Sequence, residues 1–86
     1  MSKIEKLIRK LFSETSDNNF NFDDLRKVLE HFEFKFRNRG TSHYVYSRKD
    51  IYDRINIQRD KNSPQAKAYQ VKQVREILKK HFSKNA

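Results

Sequence analysis

The sequence predicts one α+β domain, in which helices cover one face of a three-stranded antiparallel sheet. The 86 residues include no cysteine, so a compact apolar core must hold the fold in place of disulfides. Apolar residues recur at helical spacing near both ends of the chain and alternate with polar residues in the middle. We therefore expect the element order α-α-β-β-β-α within a single domain spanning residues 1–86.

The first helix is predicted within residues 3–14. Its apolar stripe consists of Ile4, Leu7, Ile8 and Leu11, and Phe12 widens it. Polar turn-forming residues follow, so we place the end of the helix near Glu14. We expect the stripe to pack on the core of its own domain. Dimerisation or contact with a partner protein would use the same stripe.

Two further helices are predicted at residues 22–32 and 69–82. Asn21 is placed to act as the N-cap of the earlier one, whose apolar residues share one face. His31 lies off that face, so we interpret it as a surface histidine. His81 lies at the edge of the apolar side of the last helix, where an imidazole can complement the negative end of the helix dipole.

Three strands are predicted between these helices, where the apolar period shortens to about two residues. The segments FEFKFRN (32–38), HYVYSR (43–48) and RINIQR (54–59) alternate apolar and polar side chains. NRGTS supplies a turn in which Gly40 can take a positive φ. RKDIYD (48–53) is interpreted as a polar return between the second and third strands.

The last five predicted elements, α-β-β-β-α, have the order of a double-stranded-RNA-binding domain. This core would span about residues 21–83, with residues 3–14 as an additional N-terminal helix. Pro64 excludes a regular strand in the loop before the last helix. We therefore expect a double-stranded-RNA-binding-like fold with its helices packed on one face of the sheet.

The charge of the chain is unevenly distributed. The net charge is +9, yet residues 1–34 carry six basic and seven acidic side chains. Residues 35–86 carry fourteen basic and four acidic side chains. Positive charge concentrated in one part of a small domain favours a polyanionic partner: nucleic acid, an anionic membrane or an acidic protein. The alternative is a lysine-rich surface that serves solubility alone.

Several chemistries lack the residues that they need. None of the three histidines has a second ligand at metal-site spacing, and a single glycine cannot build a phosphate-binding loop or a dinucleotide fingerprint. No histidine lies near Ser13 or Ser63, so a nucleophilic triad has no support. We expect no metal and no cofactor. No apolar run is long enough to span a membrane, so we expect a soluble, cytoplasmic protein.

The turn before the second strand presents His43 among cations. An imidazole exchanges protons near neutral pH, and RNA carries its own nucleophile in the 2′-hydroxyl group. His43 could therefore transfer a proton during RNA cleavage without a metal. Arg37, Arg39 and Arg48 flank the turn and could stabilise the phosphorane, with help from backbone amides around Gly40. The alternative is an ordinary histidine at the start of a strand.

The aromatic residues after His43 have two interpretations as well. Tyr44 and Tyr46 could stack on exposed bases, or they could pack against the core. Strand parity places His43 and Val45 on one face and the two tyrosines on the other. The sequence leaves open which of these faces is buried.

The chain resembles the HicA family of toxins from bacterial and archaeal toxin–antitoxin systems. The resemblance covers residues 23–82 and includes a Gly-Ser-His turn with an aromatic residue three positions after the histidine, here Gly40, Ser42, His43 and Tyr46. The segment YQVKQVREIL at 69–78 is similar to the closing helix of many members. The chain departs from the pattern in having Thr41 before Ser42, and Tyr44 where many members have a second histidine.

The resemblance implies a double-stranded-RNA-binding-like fold, cleavage of messenger RNA, and inhibition by a HicB-like antitoxin that covers the active surface. It maps the essential histidine of the family onto His43 and includes Ser42 in the RNA-binding turn. Phosphates would be bound by the basic residues Arg37, Arg39, Arg48, Lys67 and Lys72. The oligomeric state and the second acid or base do not follow from the sequence.

Three functions are therefore compatible with the sequence. The leading hypothesis is a metal-independent endoribonuclease toxin with His43 as general acid or base. The second is an RNA-binding module of the same fold that does not cleave RNA. The third is an interaction protein whose basic surface meets an acidic partner protein.

Overall fold

The computed structural model describes residues 2–14, 17–38 and 43–82. Its regular elements confirm the predicted order, with a 3-10 turn at Asp17–Asn19 between the first two helices. The helices are α1 (Lys3–Phe12), α2 (Phe22–His31) and α3 (Ala68–Phe82). The strands are β1 (Lys35–Arg37), β2 (His43–Arg48) and β3 (Ile51–Gln58), paired antiparallel in the order β1-β2-β3. The predicted α+β class, with a three-stranded meander and the helices on one face, is confirmed.

The core lies between the sheet and the helices. Its fully buried members include Phe20, Phe22, Leu25, Tyr46, Ile55, Ile57, Val71 and Leu78. They come from both sheet and helices, as expected when the apolar stripe of each helix covers one face of a sheet. Helix α1 joins this core through Leu7 and Leu11, so the expected packing of its stripe is confirmed.

Capping residues fix the ends of the helices. The Ser2 hydroxyl accepts a hydrogen bond from the Glu5 amide while the Glu5 carboxylate accepts one from the Ser2 amide, which is a capping box. The Asn21 side chain accepts a hydrogen bond from the Asp24 amide at 3.1 Å, so the predicted N-cap of α2 is confirmed. His31 ends α2 and is exposed, as predicted.

The first strand is shorter than predicted. Phe32 is the C-cap of α2, and Glu33 takes a positive φ of 67°. The Glu33 amide donates to the Glu30 carbonyl at 2.9 Å, and the Phe34 amide donates to the Leu29 carbonyl at 3.1 Å. This pair of bonds is a Schellman motif, which satisfies the last carbonyls of the helix. Phe32 and Phe34 therefore belong to the helix end and the core, and the predicted strand at 32–38 is reduced to three residues.

The third strand is longer than predicted. The turn after β2 consists of Lys49 and Asp50 alone, and β3 begins at Ile51, so the prediction of a polar return over 48–53 is wrong. Ile51 is buried and Asp53 faces helix α3, which gives this segment a structural role despite its polar composition. The loop after β3 returns to α2, where the Pro64 carbonyl accepts a hydrogen bond from the Phe22 amide at 2.9 Å.

Candidate nucleic-acid interface

Strand alternation assigns the side chains of the sheet to two faces. On β2 the buried Tyr46 and half-buried Tyr44 point towards the helices, so His43, Val45 and Ser47 point away from them. The choice between the two faces of β2 is thus resolved in favour of buried tyrosines. We call the surface opposite the helices the open face. Its members are Lys35, Arg37, His43, Val45, Ser47, Tyr52, Arg54, Asn56 and Gln58.

His43 lies at one end of the open face and is exposed. It pairs across the sheet with Gln58, and Val45 beside it pairs with both Arg37 and Asn56. Arg37 is therefore a diagonal neighbour of His43, at a typical Cα separation of about 7–8 Å. The Asn38 side chain donates a hydrogen bond to the His43 carbonyl at 3.0 Å, which holds the first residue of β2 against the end of β1.

The open face is positively charged. It carries Lys35, Arg37 and Arg54 and has no carboxylate among its described members. None of these three cations forms an ion pair with another described residue. By contrast, the cations Arg26, Lys27, Arg48, Arg59, Arg75, Lys79 and Lys80 all pair with carboxylates in the helical layer or at its margins. The open face therefore carries positive charge that no described carboxylate compensates.

Beneath His43, an aromatic and cationic cluster supports the end of β2. The Tyr44 ring stacks on Phe36 with a centroid distance of 5.2 Å and meets the edge of Phe22 at 5.2 Å. The Arg26 guanidinium lies 4.8 Å from the Tyr44 centroid, and the Arg59 guanidinium lies 5.7 Å from it. The Tyr44 ring therefore packs on the helical side of the sheet, whereas His43 lies on the open face.

Arg26 also holds the most buried phenol of the protein. Its Nε atom donates to the Tyr46 hydroxyl at 2.9 Å. Burial raises the pKa of Tyr46 above its ordinary value, and the Arg26 guanidinium offsets only part of that rise. Tyr46 is therefore a neutral phenol near pH 7, with a structural role and no capacity to act as a base there.

Arg59 ties the end of β3 to helix α2. It pairs with the Asp23 carboxylate, and its guanidinium lies 4.6 Å from the Phe22 centroid. A hydrogen bond to Tyr44 raises the pKa of Arg59 above its ordinary value, and a hydrogen bond to Asp23 raises it further. Sequence reasoning missed both Arg26 and Arg59, because neither is near His43 in the chain and only long-range packing brings them beneath it.

A cleft opens at the other end of the open face. Its volume is about 860 Å³, and its lining includes Lys35, Ser47, Tyr52 and Arg54. Tyr52 is 98% exposed, the highest value among the large hydrophobic side chains that the structure describes. Sequence reasoning also missed these residues. The sequence predicts a polar return around Tyr52, and strand parity does not apply to a turn.

The predicted phosphate-binding residues do not converge on one surface. Arg37 shares the open face with His43. Arg48 lies at the opposite end of β2, where it donates to the Phe32 carbonyl at 2.7 Å and pairs with Asp50. Lys67 and Lys72 lie at the start and on the first turns of α3, in the helical layer. The remaining predicted residues, Arg39, Gly40 and Ser42, lie outside the described residues.

The third histidine has a defined partner. His81 of α3 lies 2.7 Å from an Asp53 carboxylate oxygen of β3, measured from its Nε2 atom. This hydrogen bond lowers the pKa of Asp53 below its ordinary value, and a second hydrogen bond, from Lys80, lowers it further. The predicted position of His81 in the last turn of α3 is confirmed, and its partner is the carboxylate on the helical side of the sheet. His81 and His43 therefore face opposite sides and do not share a site.

The described residues contain neither a cluster of metal ligands nor a helix suited to crossing a membrane. In residues 2–14, 17–38 and 43–82, no group of three or more histidine, aspartate or glutamate side chains is arranged to hold a metal ion. Over the same residues, no helix combines the length and the apolar character that crossing a membrane requires.

Comparisons of the chain with protein-family models, with curated proteins and with solved structures give no match. The resemblance to HicA toxins therefore remains an expectation from the sequence motif.

Proposed function

We propose that this protein is a metal-independent endoribonuclease that binds RNA on the open face and uses His43 as a general acid or base. The observation that carries the proposal is the position of His43. Its side chain is exposed at the end of a sheet face that holds three cations and no described carboxylate. A phosphodiester lying along this face would bring a ribose within reach of the imidazole.

The chemistry would use only groups that RNA and the protein supply. The 2′-hydroxyl oxygen attacks the adjacent phosphorus, and the bond to the 5′-oxygen breaks. The products are a 2′,3′-cyclic phosphate and a free 5′-hydroxyl end. His43 would either remove the 2′-hydroxyl proton or protonate the leaving oxygen, and solvent would exchange the other proton. Arg37, the diagonal neighbour of His43, would stabilise the charge that develops on the phosphorane.

The motif resemblance adds a biological setting to this chemistry. A HicA-like toxin would act on messenger RNA in the cytoplasm and would be neutralised by a HicB-like antitoxin. A face without described carboxylates is electrostatically complementary to an acidic protein as well as to RNA. An antitoxin that covered the open face would therefore block access to His43 directly.

The test compares purified wild-type protein with His43→Ala on an RNA oligonucleotide in excess chelator. We expect the cleavage rate of His43→Ala to fall by about 10²- to 10⁴-fold, as for the loss of one proton-transfer group. His31→Ala is the matched control, because His31 is also an exposed histidine but lies on α2. A folded His43→Ala variant that cleaves at the wild-type rate would refute the proposal.

The described neighbours of His43 favour a second function, RNA binding without cleavage. Among the described residues beside it on the open face, Arg37, Val45, Asn56 and Gln58, none is an ordinary acid or base near neutral pH. An RNA-binding module without cleavage would need no such group. It predicts RNA that stays whole in the same assay, with binding that weakens as salt rises.

A further inference from the structure

The cleft at the far end of the open face combines features that recognise an unpaired nucleotide. We propose that Tyr52 is a stacking platform for a base of single-stranded RNA, with Lys35 and Arg54 contacting the flanking phosphates. This inference rests on the proposed function, in that it names the form of RNA which the open face binds. It adds a binding subsite remote from His43.

The exposure of Tyr52 has no explanation in the stability of the domain. At 98% exposure the ring buries almost no area, so it contributes nothing to the core. Phe36, on the helical side of the other edge strand, β1, is 40% exposed and stacks on Tyr44. A single exposed aromatic residue is common in proteins, so the surroundings of Tyr52 have to carry the inference.

An irregularity in β3 presents the ring. Tyr46 pairs with Ile55, and Arg48 pairs with Ile51, so β3 has two more residues than β2 in this interval. Such bulges bend a strand and redirect the side chains within it. Tyr52 lies inside the bulge and projects on the open face, because Ile51 is buried and Asp53 is bonded to α3.

The charges around the ring match a nucleotide. Lys35 and Arg54 line the same cleft, and neither forms an ion pair with a described residue. The acidic lining residue, Asp50, is already paired with Arg48 at 2.8 Å. Proteins that bind single strands combine a positively charged groove with aromatic rings on which bases stack. The bases of a duplex are paired and stacked on one another, so they are not available to the ring. A positively charged cleft with an exposed ring therefore favours single-stranded RNA.

The distance between the cleft and His43 allows one continuous RNA strand to reach both. Ser47, which lines the cleft, is four residues from His43 along β2, or about 13 Å at the usual strand rise. A few extended nucleotides span that distance, and Arg37 lies between the two ends. One RNA strand can therefore occupy the cleft while a ribose reaches His43.

The test measures affinity without cleavage. A single-stranded oligonucleotide with 2′-O-methyl groups has no nucleophile, so its binding by fluorescence anisotropy does not depend on any catalytic role of His43. We expect Tyr52→Ala to weaken binding by about 5- to 150-fold, the equivalent of one lost stacking contact of about 1–3 kcal/mol. Tyr52→Phe should bind like wild type, because it keeps the ring. Tyr69→Ala is the matched control, since Tyr69 is an exposed tyrosine on α3.

Two further measurements separate the contributions. Lys35→Ala should reduce the slope of log affinity against log salt by about 0.7, the value for one phosphate contact to a single strand, whereas Tyr52→Ala should leave the slope unchanged. Duplex RNA of the same sequence should lose little affinity on Tyr52→Ala. The inference is overturned if Tyr52→Ala binds the single strand like wild type, or if it weakens duplex binding equally. A failure of His43→Ala to stop cleavage would instead refute only the catalytic proposal.

Discussion

Removing the carboxylate of Asp17 should destabilise the domain more than removing any exposed charge. Arg75 of α3 is only 4% exposed, and it makes two bonds to the Asp17 carboxylate at 2.6 and 2.9 Å. Its remaining described bond goes to the Leu11 carbonyl at 3.3 Å. Asp17→Ala would therefore leave a buried guanidinium with one weak partner, which costs more than the lost attraction alone.

The magnitude follows from the burial of the two partners. Breaking a fully buried ion pair by removing one member costs about 3–5 kcal/mol. The Asp17 side chain is 27% exposed, so solvent screens part of the attraction, and we expect a loss of about 2–3 kcal/mol. For a domain of this size, that loss lowers the melting temperature by about 10 °C or more. Urea unfolding followed by far-UV circular dichroism measures the change in free energy directly.

Two controls make this prediction specific. The double variant Asp17→Ala/Arg75→Met should recover at least about 1 kcal/mol relative to Asp17→Ala, because an apolar side chain needs no partner there. Lys79→Ala removes the exposed partner of Glu14, and its unfolding midpoint should stay close to that of wild type. An Asp17→Ala variant within about 0.5 kcal/mol of wild type would refute the reasoning.

The same pair predicts a pH dependence. The hydrogen bond from Arg75 lowers the pKa of Asp17 below its ordinary value, despite an opposing effect of burial. A carboxyl group with a lowered folded-state pKa stabilises the fold above its unfolded-state pKa, near pH 4. That stabilisation is lost as the pH falls through the folded-state value. The difference in unfolding free energy between wild type and Asp17→Ala should therefore be full at pH 7 and shrink below about pH 4.

Three other variants test contacts described above. Tyr46→Phe should lose about 1–2 kcal/mol, because the buried hydroxyl accepts a bond from the charged Arg26, and urea unfolding would show it. Glu33→Gly should stabilise the domain by up to about 1 kcal/mol, since glycine takes the positive φ of that C′ position without strain; a lower unfolding midpoint would contradict this. His81→Ala should raise the pKa of Asp53 towards its ordinary value, measured by carboxyl carbon NMR titration, and an unchanged titration would exclude the hydrogen bond as its cause.

The helices were predictable from the sequence because local signals determine them. The apolar stripe of α1 and the Asn21 cap of α2 depend on spacing and on one side chain, and both were confirmed. Phe32 shows where local reasoning fails. It alternates with Phe34 as a strand residue would, yet the αL conformation at Glu33 makes it a helix cap. Nothing in the residue type at Glu33 indicates that conformation, which glycine usually adopts.

The candidate site was predictable only in part, for a related reason. His43 could be identified because a strand signal and a turn signal meet beside it. The face on which it lies follows from the burial of Tyr46, a tertiary property that the alternation of β2 does not reveal. The position of Tyr52 on the open face could not be predicted, because the bulge in β3 lies within a polar segment and a bulge gives no strong signal in residue composition.

The partition of charge between the two layers connects the fold to the proposed function. Four of the seven acidic side chains of residues 1–34, Glu14, Asp17, Asp23 and Asp24, pair with cations of the helical layer and its margins. Cations without a described ion pair also lie elsewhere, for example Lys6, Lys67 and Lys72, but on the open face Lys35, Arg37 and Arg54 have no described carboxylate beside them. A surface used only for solubility has no need of a face without carboxylates, because interspersed charges serve solubility equally well. A polyanion crossing the sheet gains from every uncompensated cation, and that gain would fall as salt rises.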